Sequence, residues 1–288
     1  MHFAPMNHFA TRRSFLKTSL GVVAAAPLSS QLQAAPATPA NDATDSFFAE
    51  LDELISNQMP DFGVPGAAVG VIAGDREHAN GFGVTNVDHP QPVDTDTLFQ
   101  IGSTTKTFTG TAIMRLVERG ELDLDETAQT YLPDFEVADA DVSREARLWH
   151  LLTHTGGWLD GGNPQTGRGD DSLARFVEQS AEMPQVVPSG EYFSYSNLGL
   201  ATAGRVIEAV TGQAYESAIS ELVLEPIGLD DTFFFPEDFL NRSFTVGHTA
   251  LSGAPEVVAP WGLPRAMNPA GGLVASVENE LRYARFHL

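Results

Sequence analysis

Ile101 to Gly110, IGSTTKTFTG, is the stretch on which the reading of this chain turns. Lys106 follows Ser103 by three positions, and the chain of 288 residues has one other lysine, Lys17, against fourteen arginines. A chain that almost never uses lysine places one a single helical turn from a serine. Positions i and i+3 lie on one face of a helix, so a helix opening at Ser103 sets the Lys106 ammonium beside the serine hydroxyl. Phe108, Ala112, Leu116 and Val117 recur at helical spacing, Arg115 and Arg119 fall in the last turn, and Gly120 supplies the stop. A serine at a helix N-terminus meets a dipole that favours developing negative charge, and a neighbouring base makes its hydroxyl a nucleophile. The same four residues also fit an N-cap serine followed by a solvated lysine.

Composition narrows the chemistry around that turn. There is no cysteine, which removes disulfides, thiolate metal sites and a cysteine nucleophile together. The length suits one large domain or two intimate subdomains, and 42% hydrophobic residues are ample for a core. Near the start, Thr11 to Lys17 spell TRRSFLK, which resembles a twin-arginine export signal, and the apolar run Leu20 to Leu28 after it is too short to span a bilayer. Ala34 and Ala35 offer a cleavage zone. The expected organisation is therefore a signal peptide over 1–35, a linker over 36–46 and a folded domain over 47–288. Export leads to an extracellular, cell-surface or periplasmic location, without stable membrane insertion after cleavage. Residues 1–35 hold three of the 16 basic residues and none of the 38 acidic ones, which leaves 13 against 38 in the remainder. Such charge disfavours nucleic acid and anionic membrane surfaces as partners. Acidic excess with arginine in place of lysine resembles halophile proteins, and equally fits a genome biased toward arginine codons.

Along the chain, Phe47, Phe48, Leu51, Leu54 and Ile55 predict an amphipathic helix over Thr44–Met59, and Ala67–Ala73, Gly74–Glu77 and His78–Val84 predict a hairpin. Gly81, Phe82 and Gly83 begin a dinucleotide-like loop, but Asn86 stands where the third glycine belongs and no helix opens there. Leu122–Leu132 reads as a polar connection. In LWHLLTHTGG, His150 and His154 lie four apart on an expected helix and could hold zinc, yet no third ligand and no intervening glutamate accompany them, so a structural role is expected and no metal. Asp160–Asp171 reads as a surface loop and Ser172–Glu182 as a helix. Pro188–Leu200, PSGEYFSYSNLGL, is a second candidate site. A turn delivers Tyr195 and Asn197, and a helix runs from about Leu198 to Val210. A buried tyrosine beside a lysine can relay a proton, and asparagine offers a fixed donor and acceptor.

These segments, with VPGAAVGVIAG, GFGVTN, LFQIGSTTKTFTG, LLTHTGG, FSYSNLGL, VTGQAYE, LEPIGLDDTFF and NPAGGLVAS in order, resemble the serine β-lactamase and penicillin-binding-protein superfamily, in the branch of class C β-lactamases, D-alanyl-D-alanine carboxypeptidases and related esterases. The resemblance implies an α+β fold, with an antiparallel sheet flanked by helices and a mostly helical subdomain. It also implies roles: Ser103 as nucleophile, Lys106 as its partner in activation, Tyr195 as general acid/base and Asn197 as the contact to the substrate amide. Whether lysine or tyrosine is the base belongs to a coupled pair. The Ser103 N–H would be one oxyanion donor.

The resemblance further implies strands beyond NPAGGLVAS, one carrying a lysine or histidine followed by glycine. Val277–Leu288 reads instead as the helix before them, so a C-terminally truncated copy or fragment is expected. EDFLN, Glu237 to Asn241, fits a pattern whose glutamate positions deacylating water in class A β-lactamases, but its place after LEPIGLDDTFF makes a solvated acid the expectation. The function implied is an exported serine hydrolase, without cofactor, acting through an acyl-enzyme on a β-lactam, a D-amino-acid peptide or a small ester. The alternative is a catalytically impaired or non-catalytic binding relative. Oligomeric state is left open.

Overall fold

Period-two alternation in the hairpin decides which helix covers which face. The computed structural model describes residues 40–288 apart from Asn163, with side chains from Asp45 onward, and Asp45–Leu288 forms one compact unit. The expected export signal and residues 36–39 of the expected linker lie outside the described residues, and residues 40–46 of that linker are helical. α1 (Ala40–Gln58) leads into β1 (Gly66–Ala73) and β2 (Arg76–Gly83), an antiparallel pair in which Ala73 faces Arg76 across a two-residue turn. Gly74 opens that turn at φ +62°, a left-handed value that glycine adopts at no steric cost.

Alternate residues of β2 point to opposite faces. Arg76, His78 and Asn80 face α1: Asp52 accepts hydrogen bonds from Asn80 (2.9 Å) and pairs with His78 (2.8 Å), and Phe48 stacks on the His78 ring. Those two hydrogen bonds outweigh burial and hold the Asp52 carboxyl below its usual range. The opposite face receives α11 (Val277–His287), where Gly70 leaves room for Val277 and Leu281 and Glu77 pairs with Arg285.

Between hairpin and α11 the chain runs through β3 (Phe99–Gln100), a 3₁₀ turn over Gly102–Thr104, α2 (Thr105–Glu118), α3 (Ala128–Tyr131), α4 (Ala140–Glu145), α5 (Leu148–Leu152), α6 (Ser172–Glu178), α7 (Asn197–Thr211), α8 (Tyr215–Ile219) and α9 (Glu225–Ile227). The short hairpin of β4 (His248–Thr249) and β5 (Glu256–Val257) follows, then α10 (Asn268–Gly271) and β6 (Val274–Ala275), which pairs antiparallel with β3. α7 is the central helix. Leu198, Leu200, Ala201, Ala203, Val206 and Ile207 are all buried, and the helix packs against α2, α5, α6, α8 and α10. Helices thus gather on one side and the paired strands with α1 and α11 on the other, the expected α+β arrangement.

Two sequence expectations are corrected. Leu122–Leu132 is not simply a polar connection, because Ala128 is fully buried and α3 forms around it. His150 and His154 do not share a helix. α5 ends at Leu152, and His154 stands at φ +58°, the one non-glycine residue with a left-handed backbone among the described residues. No described helix is long and apolar enough to cross a membrane.

Candidate active site

Ser103 is held where three chain segments meet. Gly102, at φ +53°, bends the chain out of β3 into the 3₁₀ turn that carries Ser103 and runs on into α2. The β3–β6 pairing sets this turn against α10: Ile101 N–H donates to the Leu273 carbonyl (3.0 Å) and Leu273 N–H donates to Thr105 Oγ1 (3.2 Å). A side chain on Gly271 would press on the end of the Leu263 side chain and meet Gly102 at ordinary contact.

One face of α2 then grips the end of α10. Lys106 Nζ donates to the Ala270 carbonyl (2.6 Å), and Thr109, one turn on, donates to the Pro269 carbonyl (2.7 Å). Both are carbonyls that a short helix leaves without an internal partner. Thr109 also bonds the Tyr215 hydroxyl at 2.8 Å, and full burial of Tyr215 keeps its phenol protonated. Anchored in this way, Lys106 Nζ reaches Ser103 Oγ at 3.0 Å. The helical spacing therefore delivers the predicted pair.

The third segment is the start of α7. Tyr195 Oη lies 2.7 Å from Ser103 Oγ, and Lys106 Nζ sits 4.9 Å from the centre of the Tyr195 ring. Tyr195 is not buried as expected but 44% exposed, because it stands in the extended stretch before the helix, where a substrate can reach it. The buried Ser196 hydroxyl caps α7 by accepting from Gly199 N–H (3.0 Å). Asn197 does not touch Ser103, Lys106 or Tyr195 through any hydrogen bond of the structure; Asp160 holds it. Asp160 accepts from Asn197 N–H (2.8 Å), Leu198 N–H (3.2 Å) and Asn197 Nδ2 (2.9 Å). A carboxylate accepts only, so it fixes the Asn197 amide with its NH₂ toward Asp160 and leaves Oδ1 for another partner. A carboxylate on the first N–H groups of α7 also meets the favourable end of the helix dipole.

The reading of the sequence missed Asp160, the Ala270 carbonyl and the position of His154. Asp160 carried no signal beyond loop composition, and a backbone carbonyl has no sequence signature. His154 stacks on Tyr195, ring centres 4.4 Å apart and planes at 26°, and its Nδ1 accepts from Ser196 N–H at 3.1 Å. Burial, then the charge of Lys106, hold its imidazole below the usual histidine range. His150, whose Nδ1 accepts from Arg147 N–H (2.9 Å), is separately buried. Among the described residues no group of three or more His, Asp or Glu is placed to hold a metal ion. Glu237 sits on the 3₁₀ turn Pro236–Asp238, paired with Arg168 at 3.0 Å, both side chains mostly exposed. It is the solvated acid expected.

The arrangement places one hydroxyl between an ammonium and a phenol at the start of a 14-residue helix. The β-lactamase family model matches residues 51–288. Penicillin-binding protein 4 of Amycolatopsis lactamdurans is 38% identical over 227 residues, covering 78% of this chain and 60% of that protein. The chain thus spans less than two thirds of the length of this relative. Among solved structures, the octameric penicillin-binding protein homologue from Pyrococcus abyssi aligns over 83% of this chain and 56% of its own, with 28% identity and a TM-score of 0.68. A class C β-lactamase aligns over 85% of this chain and 66% of its own at a TM-score of 0.72, and its 24% identity speaks for the fold alone. The chain belongs to the β-lactamase family, within the serine β-lactamase and penicillin-binding-protein superfamily.

Proposed function

We propose that this protein is a serine hydrolase working through an acyl-enzyme, with Ser103 as nucleophile, on a β-lactam, a D-amino-acid peptide or a small ester. The observation that carries the reading is the position of Ser103 Oγ, 2.7 Å from Tyr195 Oη and 3.0 Å from Lys106 Nζ. Ser103 Oγ attacks the substrate carbonyl carbon as its proton passes into the Lys106–Tyr195 pair. The pair then protonates the leaving nitrogen or oxygen, and the acyl group stays on Ser103. Water releases it in the reverse sequence of proton transfers. Asn197 Oδ1, oriented through Asp160, accepts from a substrate N–H. Family membership supports the reaction class, and the TRRSFLK stretch supports export by the twin-arginine route to the cell surface, periplasm or medium.

The test is covalent labelling of Ser103. The purified chain is treated with a fluorescent penicillin and with a fluorophosphonate, and the modified peptide is located by mass spectrometry. Modification of Ser103 by either probe, abolished in Ser103→Ala, is the expected result. Labelling by the fluorophosphonate alone narrows the substrates to esters. A folded protein unreactive to both overturns the hydrolase reading in favour of a ligand-binding relative.

A further inference from the structure

His154 has a place in the site that a structural histidine does not need. It turns the chain at φ +58°, a left-handed backbone state that is uncommon for a residue other than glycine and that asparagine or glycine adopts readily. What glycine or asparagine would lack is the ring, and the ring is what touches Tyr195. Phe193, 70% exposed, meets the same imidazole edge-on at 5.6 Å, so the histidine stands between a surface aromatic and the phenol.

We propose that His154 is a positioning residue for Tyr195, and that the site works only while its imidazole is neutral with the proton on Nε2. This deepens the acyl-enzyme reading and rests on it. The geometry gives the reason. Ser196 N–H donates to Nδ1 at 3.1 Å, so Nδ1 must carry a lone pair. A protonated imidazole has two donors and no acceptor, and would set N–H against N–H at the residue that caps α7. The ring would then turn out of its stack, and Tyr195 would lose the wall that keeps its hydroxyl 2.7 Å from Ser103. The charged and titratable groups that face the ring are the Lys106 ammonium from α2, the Tyr195 phenol ahead of α7 and the Asp160 carboxylate from the loop after α5. A second cation beside Lys106, on the same phenol ring, is disfavoured. Burial and Lys106 place the titration below the usual histidine range, so the neutral form prevails at neutral pH and is lost on acidification.

The decisive variant is His154→Asn, which accepts the backbone state and can offer Oδ1 to Ser196 N–H, but has no ring and no titration. The expected result is an unchanged or raised Tm, with fluorophosphonate labelling of Ser103 slowed on the order of 10- to 100-fold at pH 8, the scale of a misplaced reacting group. The wild-type to variant ratio should fall toward one as the pH is lowered through the His154 midpoint, which ¹⁵N NMR of the full chain locates. His154→Gly, equally tolerant of the backbone, should behave alike. Equal rates at pH 8, or a ratio that does not change with pH, overturn the inference while leaving the hydrolase reading intact. Failure of the wild type to label with either the fluorophosphonate or the fluorescent penicillin at any pH overturns the hydrolase reading instead. In that event ¹⁵N NMR of the full chain still decides. Nδ1 should be the unprotonated nitrogen at pH 8, and the Tyr195 ring resonances should move with the His154 midpoint; Tyr195 resonances indifferent to it overturn the inference.

Discussion

At the scale of single residues, the site depends on groups that fix the orientation of others. Asp160 is the clearest case, with one carboxylate receiving three N–H groups, two from the backbone of α7 and one from the Asn197 amide. Asp160→Asn keeps a carbonyl for the backbone but presents an NH₂ to the NH₂ of Asn197. The amide should flip or swing free, lowering kcat/KM on the order of tenfold, chiefly through KM, while loss of the charge at the helix terminus costs about 0.3–1 kcal/mol of stability. Steady-state hydrolysis and a urea melt check the two parts separately. Ser103, Lys106 and Tyr195, which the structure brings together, were legible as candidates beforehand, as was Asn197, because helical spacing and ordered flanking motifs are written in the chain. Asp160 was not, because its partner lies 37 positions away and nothing in a glycine-rich loop marks one aspartate as the one that turns inward. His154 was visible as a residue and misread as to position, since a four-residue spacing suggests one helix and the left-handed bend between the two histidines is a tertiary outcome.

At the scale of elements, the hairpin and its two helices were predicted in type and order, since alternation and helical period are local signals, although α1 begins at Ala40 rather than Thr44 and the hairpin turn spans two residues rather than four. The tightness of their packing was not. A Cβ on Gly70 would lie 2.8 Å from atoms of both Leu281 and Val277 on α11. Gly70→Ala should therefore destabilise the fold by about 1–3 kcal/mol, as overpacking does. Combined with Leu281→Ala, it should cost less than the sum of the two single changes, a coupling that a double-mutant cycle reads directly. The same helix carries Glu280, whose Oε1 is buried without a hydrogen-bond partner, and burial pushes its carboxyl up to about 7. Its ordinary value is 4.5. Between those values the folded chain binds the extra proton, so stability falls as pH rises from about 4.5 to 7, and the full cost of about 3 kcal/mol applies above that window. Glu280→Gln should raise the unfolding free energy at pH 8 by up to that amount and leave it nearly unchanged at pH 4.5. Chemical melts at the two pH values are the check.

For the whole molecule, the net charge of −22 is the dominant long-range property. Like charges spread over one surface repel, and at about 1 M salt the screening length falls to about 3 Å. Raising KCl from 0.05 to 1 M should stabilise the fold by about 1 kcal/mol or more, which for a chain of this size moves Tm by about 2–4 °C. A Tm indifferent to KCl would remove the halophile-like reading and leave codon bias as the explanation for the scarcity of lysine. The site has its own whole-molecule signature. Ser103 meets Tyr195 across 92 positions, and Lys106 meets the Ala270 carbonyl across 164. Contacts of such separation close only after long loops have been ordered. No single supersecondary piece of this protein can thus acquire the setting of Ser103 by itself. On the proposed function, labelling of Ser103 would amount to a molecular census: followed during refolding, it would count the chains in which the three remote segments have docked, and a chain with native helices but loose docking would go uncounted.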